Sequence, residues 1–182
     1  AVTILSGALL TVLTAKYIGL AASSVGKFII WSTQLQPFWM GIIVSVVVGI
    51  ALTLPISSAA ICAALGLTGL AGGAAVAGCC AQMVGFAVMS FRENKWGGIL
   101  SQGLGTSMLQ MPNIIKNPKI WLPPIIASAI TGPLSTCLFK MEMNGAAVSS
   151  GMGTCGFVGQ IGVITGWFEP SEAAISHGTM AI

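Results

Sequence analysis

The sequence predicts an all-α polytopic membrane protein with broken transmembrane helices and one or two re-entrant Gly-rich hairpins. Three observations point there. Of the 182 residues 55% are hydrophobic and only 6% charged, whereas a soluble globule carries about 25% charged residues. The apolar residues form runs of helix-spanning length, with the charges gathered in the short breaks between them, as in loops at a membrane surface. Glycine recurs inside those runs, most densely over residues 144–166, where the backbone must turn or lie against another element.

Taken in order, residues 1–22 form a first apolar span interrupted by Lys16 and Tyr17, which snorkel or face a polar interior. Trp31 and Trp39 flank a polar stretch ending at Gln36, where an interfacial aromatic belt belongs. Residues 38–54 are an uncharged Val- and Ile-rich span that Pro55 ends or kinks. Residues 56–90 remain uncharged, too long for one ordinary span, and read as a broken helix with its break at residues 66–73. Arg92, Glu93 and Lys95 form the most charged spot and Lys116 with Lys119 the next. With both clusters on the cytoplasmic side, the short, glycine-studded segment 96–111 enters and leaves by one face.

Residues 120–139 are a further span containing Pro123, Pro124 and Pro133, and the glycine-rich stretch then runs to Trp167. The tail beyond, with His177, is polar enough to leave the membrane. The chain is read as a single transmembrane domain over residues 1–182, a piece of a longer membrane domain. An internal echo pairs LPISSAAI (54–61) with LPPIIASAI (122–130) and GGAAV (72–76) with NGAAV (144–148), as in transporters built from paired repeats.

No nucleophile motif, phosphate loop or metal-ligand spacing is present, so neither a self-contained catalytic site nor a cofactor is expected. Cys62, Cys79, Cys80, Cys137 and Cys155 lie in apolar segments without a CxxC pair and read as packing residues. Gly151, Gly153 and Gly156 spell GxGxxG, but no strand precedes them as a dinucleotide site requires. The net charge of +3 is dispersed, which excludes a nucleic-acid footprint. Polarity within apolar segments selects Glu142, Asn144, Gln102, Gln110, Asn113 and Gln160 as candidate substrate-binding residues, because polar groups at membrane depth line cavities or mark function. The plainer alternatives stay open: the amides cap helix ends, and Glu142 is a loop carboxylate balanced by Lys140.

The segments LPISSAAI (54–61), GTSMLQMPNIIKNPKIWLPP (105–124) and GMGTCGFVGQIG (151–162) resemble the phosphotransferase-system transporter subunit IIC family, nearest its perfringolysin regulator-like branch. The resemblance covers residues 38–167. It implies a multi-pass protein of the bacterial plasma membrane that moves a small polar, sugar-like substrate while a phosphorylated IIB subunit phosphorylates it, working as a homodimer in the lipid bilayer. No GITEP-like motif is present, so no site residue is transferred by motif. The regulator-like branch also admits a membrane receptor that senses a ligand without phosphorylating it.

Overall fold

A computed structural model describes residues 20, 24, 27–29, 31–32 and 35–168. The expected span over residues 1–22, apart from Leu20, and the tail with His177 lie outside the described residues. Within them the regular structure is helical, with one isolated antiparallel bridge between Gly69 and Met143. Two helical stretches among the described residues are long and apolar enough to cross a membrane, Gly69–Gly105 and Pro118–Leu138. The chain is an all-α membrane protein, as its composition requires.

Helix α1 (Pro37–Thr53) begins with proline, whose missing N–H is harmless in a first turn. It stops at Leu54, which turns extended at ψ 156°, because Pro55 disfavours the helical conformation of the residue before it. The short α2 (Ser58–Ala64) follows, capped by the Ser57 hydroxyl accepting from the Ala60 N–H at 3.2 Å. The long helix α3 (Gly69–Ile99) starts after Gly66 and at Gly69, both in the left-handed region. The apolar stretch 56–90 is therefore broken at residues 65–68, overlapping the start of the expected window 66–73, in addition to the stop that Pro55 imposes on α1. Gly72 and Gly73 lie inside α3, where a Cβ would strike the Met143 side chain and the Met141 carbonyl.

Helix α5 (Leu122–Pro133) runs antiparallel to α1 and α3, which are parallel to each other: Pro124 lies on Gly85, Gly132 on Gly41, and Gly49 on Gln82. All three helices meet at a serine knot. The Ser45 hydroxyl donates to the Ser128 carbonyl at 2.7 Å, and the Ser128 hydroxyl donates to the Gly78 carbonyl at 3.2 Å. Small and hydroxyl-bearing residues hold helices together where lipid gives no hydrophobic drive to do so. Opposite this contact, Leu122, Ile126, Ile130, Leu134 and Leu138 stand exposed at four-residue intervals, one apolar face of α5 and its continuation suited to acyl chains.

Two hairpins leave opposite ends of α3. At Lys95 the backbone takes φ 51° and ψ −139°, and the helical limb beyond it doubles back, setting Gly98 against Ser90 and Gly103 against the Ala87 Cβ. After the π-helical turn Leu100–Gly105 and the 3-10 turn Ser107–Gln110, α4 (Met111–Lys116) returns to Glu93 and Asn94. The segment thus leaves from and returns to one end of α3, as its two basic clusters predict. A lysine in this conformation stores about 1–3 kcal/mol of strain. Lys95→Gly is expected to raise the melting temperature of the detergent-solubilised protein, and an unchanged or lower value would show the turn to be unstrained.

The second hairpin starts at the other end. Met143 and Gly69 exchange two backbone hydrogen bonds of 3.0 and 2.9 Å, pinning the descending limb to the first turn of α3. The limb turns at Thr154 to Phe157, where Phe157 has φ 59°, and α6 (Val158–Phe168) ascends beside it. Gly145 sits on the Gly162 backbone and Gly166 on Gly145.

The paired segments of the sequence echo have different local structures. Residues 54–61 span the α1–α2 break, while Leu122 to Ile130 lie in continuous helix. The cause is where proline falls. Pro55 follows a formed helix and ends it, whereas Pro123 and Pro124 occupy the first turn of α5, where proline is tolerated.

Candidate functional site

The hairpin tips meet beside the middle of α3. The Thr154 hydroxyl donates to the Gly103 carbonyl at 2.5 Å, joining the second tip to the first. Gly153 lies on Cys79 and Cys80 of α3, about halfway along that helix. The end of α1 joins the same place through the Thr53 and Ser107 hydroxyls, 3.1 Å apart and both buried. The Ser58 hydroxyl, at the start of α2, donates to the Gly151 carbonyl at 2.7 Å.

Between the tips and the α1–α2 break lies a cavity of about 160 Å³. Ser57, Ser58 and Thr106 supply its hydroxyls, Met108, Met152 and Cys155 its sulfur atoms, and no charged residue lines it. The break adds backbone polarity, because the last carbonyls of a helix have no intrahelical donor and Pro55 has no N–H to offer. Non-helical backbone at membrane depth is tolerated where it lines a cavity. The cavity surface is mostly apolar, with three hydroxyls as its polar side-chain groups, a lining that suits a small neutral molecule rather than an ion.

The six residues selected by polarity fall in four other places. Gln110 and Asn113 lie together, the Asn113 side-chain amide donating to Gln110 Oε1 at 2.9 Å, in a cavity shared with Glu93 and Lys116. Glu142 and Asn144 flank the Met143 bridge at the other end of α3, with Asn144 Oδ1 buried and without a hydrogen-bond partner among the described residues. Gly73, against which the Met141 carbonyl packs, and Glu93 are twenty positions apart on α3, about 30 Å at 1.5 Å per residue, so the two groups sit a bilayer core apart. Gln102 is buried in the first hairpin, its Oε1 without a partner. Gln160, on α6, donates to the Cys80 sulfur at 3.2 Å in an apolar groove of about 520 Å³.

Sequence reasoning passed over Ser58, Thr106 and Met108 at the tips. Pro55 was the available signal, since a proline following an apolar helix predicts a break and breaks line cavities. It also passed over Gln82, fully buried on α3 with neither amide atom partnered among the described residues.

Broken helices and opposed hairpins meeting tip to tip beside a small uncharged cavity define the class, a membrane protein built on discontinuous helices as transporters are. The sequence matches the family described as Phosphotransferase system, EIIC over residues 1–182, and the chain belongs to that family. It is accordingly a membrane-embedded transporter subunit of a sugar phosphotransferase system. No curated protein and no solved structure matches the chain.

Proposed function

We propose that the protein carries a small, neutral, sugar-like substrate through the cavity between the hairpin tips, by alternating exposure of that cavity to the two sides of a bacterial plasma membrane. The observation behind this reading is the tip-to-tip contact of Thr154 and Gly103 beside an uncharged cavity at the middle of α3. Arg92, Lys95, Lys116 and Lys119 gather around the opening of the first hairpin, which makes that end cytoplasmic by the positive-inside bias. A phosphorylated IIB subunit works from that side, and the functional unit is a homodimer. Gln102, buried in the first hairpin, and Gln160 on α6 flank the path, while Glu142 and Asn144 at one end and Gln110 and Asn113 at the other belong to its two mouths.

The test is uptake of labelled sugars by vesicles containing the full-length protein, supplied with phosphoenolpyruvate and the general phosphotransfer proteins. Met108→Trp adds bulk to a half-buried cavity wall and is expected to reduce uptake at least tenfold with folding intact. Unchanged uptake in this variant, or no uptake of any sugar by the parent protein, would overturn the assignment.

A further inference from the structure

A second cavity, of about 370 Å³, lies between the C-terminal turns of α3 and the returning limb of the first hairpin. Its apolar surface comes from Phe86, Met89 and Ile120, and its rim carries four carboxamides, one hydroxyl, one carboxylate and one ammonium. The hydrogen bonds among these groups use only part of their capacity. The Asn94 amide donates to the Ser90 hydroxyl at 3.0 Å and leaves Asn94 Oδ1 unused. The Asn113 amide donates to Gln110 Oε1 and leaves Asn113 Oδ1 and the Gln110 Nε2. Asn117 Oδ1 accepts from the Lys119 backbone and leaves its Nδ2. Two acceptors and two donors therefore remain without partners among the described residues.

We propose that this cavity is a second binding station, for a neutral polyhydroxylated ring, separate from the cavity between the tips. Each hydroxyl of such a ring both donates and accepts, matching the mixture of free carbonyl oxygens and amide nitrogens, while its C–H face lies against Met89 and Ile120. Glu93 and Lys116 cancel in charge. The site rests on the sugar-transport reading and gives the substrate a place to wait at the charged end of the protein.

The test uses the full-length protein in liposomes with Ile120→Cys, which leaves every polar group of the rim intact. Its reaction with a maleimide is followed by peptide mass. D-glucose, D-mannose, D-galactose and N-acetyl-D-glucosamine are the competitors. At least one of them is expected to slow labelling several-fold and to have no effect on Lys119→Cys outside the cavity. Adding Asn113→Ala is expected to remove the protection. Protection by none of these compounds, equal protection at Lys119→Cys, or protection that survives Asn113→Ala would each overturn the proposal. Met108→Trp separates this site from the transport reading: uptake falls while protection at Ile120→Cys persists. Loss of protection together with normal uptake would sink the second station alone.

Discussion

Gly78→Ala is expected to destabilise the protein by about 3 kcal/mol, the upper end of overpacking costs, lowering its melting temperature in detergent sharply, while Gly97→Ala leaves it unchanged or slightly higher. Both glycines lie in α3, so helix propensity favours alanine at each by up to about 1 kcal/mol. The packing differs completely. A Cβ on Gly78 would lie within the Ser45 backbone, whereas one on Gly97 meets nothing within 4 Å. Backbone cannot rotate aside as a side chain does, so α1 would have to separate from α3. That separation would also pull apart the Ser45, Ser128 and Gly78 hydrogen bonds. Equal melting temperatures for the two variants would show that α1 and α3 do not cross at this glycine.

Much of this framework is legible in the sequence because it is local. The unbroken apolar run before Pro55 fixes α1 to within one residue, and the two basic clusters flanking glycine-rich residues 96–111 specify a segment that comes back to its starting end. The turn at Lys95 is not legible, since lysine has no preference for positive φ and tolerates it here only because the hairpin is held elsewhere. Nor does a glycine name its partner. Gly78 against Ser45 and Gly145 against Gly162 are contacts between distant parts of the chain, and the sequence marks only that something small is required.

The cavity between the tips was hidden for a related reason. Polarity in an apolar run marks Glu142 or Gln110 clearly, but it does not encode depth along α3, and these two residues lie toward opposite ends of it. The tip cavity is made of serine, threonine, methionine and exposed backbone, residue types that raise no signal against a background rich in the same residues. Three segments distant in sequence build it: residues 52–59, 105–108 and 152–155. Only the fold brings them together.

Bridging the two tips is expected to abolish uptake, and releasing the bridge to restore it. The proposed variant carries Gly103→Cys and Thr154→Cys in a Cys155→Ser background, joined by a reducible thiol cross-linker and checked by peptide mass. Opening the cavity requires one tip to leave the other, and the glycines show which one is free to move. In the second hairpin Gly145, Gly153, Gly159 and Gly166 are seated directly on neighbouring backbone, so its limbs cannot shift without tearing apart close contacts. In the first, only Gly98 is tightly packed, and against the Ser90 and Asn94 side chains rather than backbone, while a Cβ on Gly97 meets nothing, one on Gly103 meets only the Ala87 Cβ at 3.4 Å, and one on Gly105 meets only a carbonyl at 3.9 Å. That limb also holds the π-helical turn Leu100–Gly105, a form of helix often found at functional sites, and it is joined to the rest of α3 through the single turn at Lys95. On the transport reading proposed above, the first hairpin is the expected gate and the Thr154 to Gly103 hydrogen bond its expected latch. Full uptake by protein whose cross-link has gone to completion would show that the tips travel together through the whole cycle, and would move the gate elsewhere.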